Sequence, residues 1–242
     1  MSPVNRMPIP LAVPGPGRWL AQNSPASRIP SHGTRRHALE QSIDLTPVGE
    51  DDRSARYGLR AFLRPEPPEE FVGFGREIRA PVAGTIRLAH DGEQDHAAHR
   101  GLPSVAYMLT QGRRAADGWV GLAGNHLVIE ADVSVAGAGV FVALCHLQRG
   151  SLAVAVGQQV RMGQFLARCG NSGNSTEPHL HLQVMDAVDP AIARALPFTF
   201  PGGVPRNGAV ITAESGRGPD GGSGGRSDGG TVGRVDGGPA AG

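Results

Sequence analysis

The 242-residue sequence contains no lysine, because all 23 residues counted as Lys or Arg are arginines. This absence excludes enzymes that form a Schiff base on lysine, nucleotide-binding loops that use a Walker lysine, and carriers of lipoyl or biotinyl groups. The formal net charge is only +1, so no strong positive field attracts DNA or RNA. No run of about 18 apolar residues occurs, which argues against a transmembrane helix.

Cysteine is also scarce, since Cys145 and Cys169 are the only two in the sequence. Two cysteines do not form a disulfide framework, and either one bridge or two buried thiols is compatible with the sequence. The first 22 residues hold an apolar patch of about five residues that prolines interrupt, which is shorter than the ~7–15 residues of a secretory h-region. The sequence therefore predicts no standard signal peptide.

Glycine is abundant but unevenly distributed. Of the 36 glycines, 12 lie in residues 213–242, where apolar residues are almost absent. Such a segment cannot bury enough surface to offset the entropy of ordering it, so we expect residues 213–242 to be a disordered tail. Residues 1–29 are predicted to be an extended N-terminal segment, and residues 30–212 one domain with insertions at about 47–77 and 91–123.

Between these ends the chain consists of short apolar or alternating runs separated by glycine-containing turns. These runs are Pro81–Ala89, Asn125–Ala131, Gly139–Leu147, Phe165–Cys169 and His179–Met185, with a shorter one at Ser42–Leu45. Many short strands with glycine turns are typical of an antiparallel sheet, sandwich or barrel. No helical periodicity extends beyond ten residues, although alanines near Ala97 and Ala191 indicate one or two helical turns. The predicted fold class is mainly β.

The most informative histidines lie in the run that begins at residue 178. In a strand, residues i and i+2 point to the same face, so His179 and His181 project together. Three apolar residues alternate with them and face the core: Leu180, Leu182 and Val184. The two histidines are either ligands or catalytic groups of one site, or solvated residues on a surface strand.

Two further polar residues interrupt apolar strands. His146 lies near the end of the run Gly139–Leu147, where it is either a structural or a catalytic residue. Asp44 stands between Ile43 and Leu45, and a carboxylate on such a strand needs a cation or several hydrogen bonds nearby. A zinc ion held by two histidines and one aspartate, with water in the fourth position, would meet this need.

The segment from Phe141 to Asp186 carries a series of spaced motifs. In order, these are His-Leu at 146–147, Gly-Ser at 150–151, Val-Gly at 156–157, Val160, Gly-Gln at 163–164, Gly-Asn-Ser-Gly-Asn-Ser-Thr at 170–176 and Pro-His-Leu-His at 178–181. Their order and spacing resemble the lysostaphin-type zinc endopeptidases, also called M23 or LytM-like peptidases. Residues 80–86 and 124–129 also resemble strands of that family, so the resemblance covers roughly residues 30–200.

This resemblance implies a LytM-like β fold of the duplicated-hybrid-motif type and one Zn²⁺ per chain. It implies that His32, Asp44 and His181 are the metal ligands. His146 and His179 correspond to the catalytic histidines of the family. The spacing of twelve residues from His32 to Asp44 is longer than the compact spacing usual in the family, and His37 is the rival first ligand.

The resemblance also implies the activity. We expect a zinc-dependent endopeptidase that hydrolyses peptide bonds, with peptidoglycan cross-links, rich in glycine or D-amino acids, as substrate and an extracytoplasmic location. The alternative is a non-catalytic LytM-like module that binds cell wall or a partner. Outside the predicted site, His96 and His99 are either a second metal pair or, as we favour, solvated loop residues.

Overall fold

The computed structural model describes residues 7–213 apart from residues 57, 111, 113–115, 117 and 136. Residues 214–242 of the predicted disordered tail therefore lie outside the described residues, as do residues 1–6. The domain boundaries stay a prediction.

The strands confirm a mainly β, antiparallel fold. They are β1 (Ile9–Pro10), β2 (Gly17–Gln22), β3 (Ile43–Val48), β4 (Glu77–Arg79), β5 (Gly84–His90), β6 (Asn125–Val135), β7 (Ala138–Leu147), β8 (Gln159–Val160), β9 (Phe165–Arg168), β10 (Leu180–Met185), β11 (Phe198–Thr199) and β12 (Val210–Ala213). Eight of them form one antiparallel sheet in the order β12-β2-β3-β10-β7-β6-β5-β8. Strands β4 and β9 pair antiparallel, and β1 pairs with β11 in parallel.

Helices are short in the described part of the chain. They are α1 (Leu59–Leu63), α2 (Leu102–Leu109), α3 (Gly118–Ala123) and 3₁₀ segments at Arg36–Gln41 and Pro68–Glu70. The expected helical turn near Ala97 is wrong, because Ala98 forms a β-bridge with Glu66. Near Ala191 a single turn is present, in which the backbone N–H groups of Ile192 and Ala193 donate to Asp189 O at 3.2 and 3.1 Å. None of the described helices is long and apolar enough to span a bilayer.

The alternation predicted for β10 is present, and both faces of this strand are buried. Leu180, Leu182 and Val184 contribute to the large apolar core on one face of the sheet. His181 and Gln183 point to the other face, where a smaller apolar cluster lies. The strand thus holds polar groups rigidly between two packed layers.

The described part of the N-terminal segment belongs to the main sheet. Strand β2 pairs with β3 on one side and β12 on the other. Trp19 is fully buried, and its indole N–H donates to the carbonyl of Gly15 at 3.1 Å. Strand β2 therefore fixes the position of the strand that carries Asp44.

The two predicted insertions contact each other. The Arg100 guanidinium donates to both carboxylate oxygens of Glu66, at 2.7 and 2.8 Å, and the two side chains are only 13% and 7% exposed. Ser54 in the first insertion donates to Glu177 at 2.7 Å. The backbone N–H of His99 in the second donates to Thr176 O at 2.7 Å. The joined insertions thus pack on the turn that precedes β10.

Candidate active site

Two of the predicted metal ligands lie on neighbouring strands. Asp44 in β3 is directly opposite His181 in β10, and His181 is opposite Cys145 in β7. Directly opposed residues on antiparallel strands have Cβ atoms about 4.5–5.5 Å apart, so their side chains meet. Asp44 Oδ1 lies 2.8 Å from His181 Nδ1. Strand register thus brings together one carboxylate and one imidazole.

A closed loop brings the third predicted ligand to the same point. The backbone N–H of Ser31 donates to Glu40 O at 3.0 Å, which brings the two ends of the loop together. As a result His32 lies beside Asp44, although twelve residues separate them in sequence. His32 Nε2 is 3.1 Å from each carboxylate oxygen of Asp44. The unusually long spacing is accommodated by the loop.

The ligand atoms of His32, Asp44 and His181 all lie within 4.8 Å of one another. The rival His37 is not in this group. Its half-buried ring lies 6.1 Å from the ring of Trp119, and its carbonyl accepts a hydrogen bond from Gln183. The structure therefore brings His32, and not His37, next to Asp44.

The tautomer of His32 follows from its neighbours. The hydroxyls of Ser31 and Ser42 both donate to the carbonyl of Leu39, at 3.0 and 2.8 Å. His32 Nδ1 lies 2.8 Å from the Ser42 oxygen, which is then left to accept from the ring N–H. Nε2 of the neutral ring consequently carries the lone pair, and it faces Asp44.

Gln183 fixes the tautomer of His181 in the same way. A carbonyl can only accept, so the bond of 2.9 Å to His37 O shows that the amide nitrogen of Gln183 points there. The amide oxygen then accepts from His181 Nε2 at 3.0 Å. His181 Nδ1 is left with its lone pair towards Asp44. Partners of this kind orient imidazoles for metal binding and raise their basicity.

The protonation states of Asp44 and His181 suit a cation. Burial opposes the charge of Asp44, but the facing imidazoles of His32 and His179 outweigh it and hold the pKa of the carboxyl well below its usual range. Burial lowers the pKa of His181, because the contacts with Asp44 compensate only in part. An ionised carboxylate and neutral imidazoles bind divalent metals. Two imidazole nitrogens and one carboxylate whose lone pairs converge fit a catalytic zinc centre.

His146 reaches the site through an irregularity in β7. Leu144 faces the large core and Cys145 the opposite face, so strict alternation would point His146 into the core. Between β6 and β7 the register shifts, and His146 has a φ of +62°. This bulge turns its ring to within 4.7 Å of the His179 ring. A backbone irregularity thus gives the strand two consecutive side chains on the site face.

The two predicted catalytic histidines have opposite electrostatic environments. His146 Nδ1 donates to Ser172 O at 2.9 Å, and burial, with the neighbouring His179 and His181 imidazoles, holds its pKa well below the ordinary value. Burial would also lower the pKa of His179, but the Asp44 carboxylate outweighs this and raises it. His179 Nε2 lies 3.6 Å from Asp44 Oδ1. Paired groups whose pKa values are pushed apart are typical of acid–base chemistry.

His179 immediately precedes β10, and hydrogen bonds to its Nδ1 fix the orientation of its ring. Its Nδ1 lies 2.8 Å from the carbonyl of Glu177 and 2.9 Å from the hydroxyl of Ser175, which itself donates to Glu177 O at 2.7 Å. Nδ1 is therefore the donor, and Nε2 faces the other site residues. Gly173 makes the preceding turn possible, since its φ is +70° and a Cβ would lie 2.4 Å from Gly124 N.

The five predicted site residues line one cavity of about 320 Å³: His32, Asp44, His146, His179 and His181. The other lining residues come from three parts of the chain. They are Asn23, Arg28, Thr34 and Leu39 from the N-terminal part, Tyr107, Trp119, Leu122, Ala123 and Cys145 from the middle, and Asn174 and Thr176 from the turn before β10. The second insertion therefore forms part of the cavity wall.

Gln183 and Asn23 contact the predicted ligands, and neither was predicted from the sequence. Asn23 Nδ2 donates to Asp44 Oδ2 at 2.7 Å. The position of Gln183 two residues after His181 was an available signal, because residues i and i+2 share a face. Asn23 gave no comparable signal, because only the β2–β3 pairing brings it to Asp44.

The loop pair His96 and His99 lies outside the group of ligands. His96 is half-buried rather than solvated, and its Nδ1 and Nε2 lie 3.0 Å from the carbonyls of Ala97 and Gly173. His99 stacks on Tyr107 with ring centroids 4.5 Å apart. The expectation of solvated histidines is therefore wrong, because the second insertion folds against the turn at Gly173. Among the described residues, no second metal group includes these histidines.

Comparison with known proteins gives one family match. The model of Peptidase family M23 matches residues 71–191, which is half of the chain. No curated protein is similar enough to match.

Several solved structures are similar over about half of this chain. The catalytic domain of the antimicrobial peptidase lysostaphin from Staphylococcus simulans is 21% identical over 52% of this chain and 70% of that chain, with a TM-score of 0.34. A solution structure of lysostaphin is 22% identical over 51% and 37%, with a TM-score of 0.33. LytU is 26% identical over 50% and 62%, also with a TM-score of 0.33. The chain thus spans less than two thirds of the second and third of these proteins.

The matched residues include β7 and β10, and with them His146, His179 and His181. His32 and Asp44 precede the matched range and join these residues through the loop and the strand pairing described above. On the match over half of its length, the chain belongs to peptidase family M23.

Proposed function

We propose that the protein is a zinc-dependent endopeptidase that hydrolyses peptide bonds in peptidoglycan cross-links. The observation that carries this proposal is the convergence of His32, Asp44 and His181 beside two further oriented histidines in one cavity. Family membership supports a peptidase. Peptidoglycan as the substrate rests on the resemblance of residues 141–186 to lysostaphin-type enzymes.

His32 Nε2, His181 Nδ1 and the Asp44 carboxylate would hold the metal. Zinc bound there would polarise a scissile carbonyl and lower the pKa of a water molecule towards ~7. Ser42, Leu39 and Gln183 keep the ligand nitrogens in the tautomers that expose their lone pairs. The chain thus supplies an oriented set of ligands before any metal enters.

His179 is proposed as the general base. Its Nδ1–H is held by Glu177 O, so Nε2 is the atom that takes up the proton from the attacking water. The Asp44 carboxylate, 3.6 Å away, stabilises the imidazolium that results. His179 then returns the proton to the leaving amine.

His146 is proposed to orient the water or to stabilise the oxyanion. Its Nδ1–H is bound to Ser172 O, and its ring lies 4.7 Å from that of His179 and 6.0 Å from that of His181. Burial favours the neutral form of the His146 ring. His146 therefore stays polar but uncharged beside His179, the residue that takes up the proton from water. Its position in a bulged strand holds it in place without rearrangement.

The test is digestion of defined peptidoglycan fragments, with the products identified by mass spectrometry. We expect the zinc-loaded protein to cleave a peptide bond, and His179→Ala to lower the rate by at least about a hundredfold while it still binds about one zinc ion. Arg161→Gln is the matched control and should keep the activity, because Arg161 is exposed and directly follows β8, the edge strand that lies four strands from β10.

Two results would reject the proposal. If the His179→Ala variant cleaves at the normal rate, the assignment of the general base is wrong. If the zinc-loaded protein cleaves no fragment but binds peptidoglycan, the protein is the non-catalytic module that the sequence left open.

A further inference from the structure

The charges of the active-site cavity are unevenly distributed. Among the described residues that line it, Asp44 is the single acidic residue and Arg28 the single arginine. The negative charge of Asp44 is surrounded by His32, His179 and His181. A substrate therefore meets no free negative charge on the described cavity wall, but it does meet one guanidinium.

Arg28 is held in position by its own turn. Its backbone N–H donates to Ser24 O at 3.3 Å, and its Nε donates to Ser31 O at 3.0 Å. Ser24 is fully buried, and its backbone N–H donates to Asn207 Oδ1 at 2.7 Å, so the turn is anchored to the C-terminal part of the fold. Ser31 directly precedes a metal ligand. The guanidinium is therefore fixed relative to the ligand loop.

The contacts of Arg28 leave the two terminal amino groups of its guanidinium for a ligand. Nε makes the hydrogen bond to Ser31, and in the described part of the chain neither terminal amino group has a protein partner. The residue is exposed at the cavity rim. The two terminal amino groups of a guanidinium form a planar pair of donors that matches the two oxygens of a carboxylate.

On these observations we infer that Arg28 binds a carboxylate of the peptide substrate and so selects anionic peptides over uncharged ones. This inference rests on the proposed function and narrows it to a substrate class. An uncharged oligoglycine bridge would not use Arg28. The carboxylate belongs either to an acidic side chain or to a free C-terminus, and both present the same pair of oxygens.

The test uses three synthetic cross-linked peptidoglycan peptides of one sequence: one with all carboxylates free, one amidated only at its C-termini, and one with all carboxylates converted to carboxamides. For each, KM and kcat are measured with zinc-loaded protein where cleavage occurs, and Kd is measured by calorimetry where it does not. We expect the free acid to be favoured over the full carboxamide by about tenfold in KM or Kd, the strength typical of a charge-assisted pair.

Arg28→Gln should remove this preference through KM or Kd, and Arg28→Lys should keep part of it, because an ammonium retains the charge but not the paired donors. Arg161→Gln should behave as the wild type. The peptide amidated at its C-terminus assigns the contact, since it retains the preference only if a side-chain carboxylate is bound.

Equal treatment of acid and carboxamide by the wild type would overturn the inference. An Arg28→Gln variant in which KM or Kd rises equally for the acid and for the carboxamide would also overturn it, because such a result would indicate a structural role for Arg28. These outcomes are separable from the proposed function. Selective binding without product supports Arg28 and rejects the peptidase, whereas cleavage of both peptides alike supports the peptidase and rejects the role of Arg28.

Discussion

At the scale of single residues, His146 shows how a backbone conformation brings a side chain into the candidate site. A residue other than glycine with φ near +60° is uncommon, and the conformation costs about 1–2 kcal/mol. The sequence predicted His146 in an apolar strand but not the bulge, because the run Phe141–Leu147 carries no glycine or asparagine that would indicate it. The register shift arises from pairing with β6, which is a long-range contact.

The strain at His146 leads to a stability prediction. We expect His146→Gly to have a free energy of unfolding about 1 kcal/mol higher than His146→Ala, because glycine adopts positive φ without the steric penalty. Urea denaturation of the two variants measures this difference.

Ala143→Gly in the same strand is the matched control. Ala143 is buried and is not among the residues with positive φ, so glycine there should lower the free energy of unfolding. A His146→Gly variant less stable than His146→Ala would show that the backbone at this position is not strained.

At the scale of elements, patterns within one strand were predictable and contacts between distant segments were not. The alternation in β10 was predicted, and so was the approximate extent of β3, β5, β6, β7 and β9. The loop that carries His32 is closed by Ser31 and Glu40, and no periodic pattern in the sequence indicates such a contact. The contact between the insertions likewise depends on a pairing across 34 residues, from Glu66 to Arg100.

The Glu66–Arg100 pair provides a second stability prediction. We expect Glu66→Ala to lower the free energy of unfolding by about 3 kcal/mol, since it removes the carboxylate that binds a buried guanidinium through two hydrogen bonds. Arg100 also lies over the Phe71 ring, 4.7 Å from its centroid, so the change disturbs a packed apolar contact. Urea denaturation again supplies the measurement.

Glu130→Ala is the control for this change. Glu130 pairs with Arg87 at the surface, where the side chains are 30% and 50% exposed, so its loss should cost less than about 1 kcal/mol. Similar small effects for both variants would mean that the insertions are not held together by the buried pair.

At the scale of the whole molecule, the candidate site combines two stretches of chain, one inside the range that the family model matches and one before it. The family model covers residues 71–191, which contain three of the five candidate site residues, His146, His179 and His181, whereas His32 and Asp44 lie upstream. The spacing of motifs in the later stretch made the family predictable. The choice between His32 and His37 remained open in the sequence, because both histidines precede Asp44 and only the folded loop distinguishes them.

The central claim is that His32, Asp44 and His181 hold a zinc ion, and metal analysis of the purified protein tests it most directly. We expect about one zinc ion per chain in the wild type and in His37→Ala, and a loss of zinc in His32→Ala, with circular dichroism confirming that each variant is folded. A folded wild-type protein that binds no zinc, or a loss of zinc in His37→Ala alone, would contradict the claim.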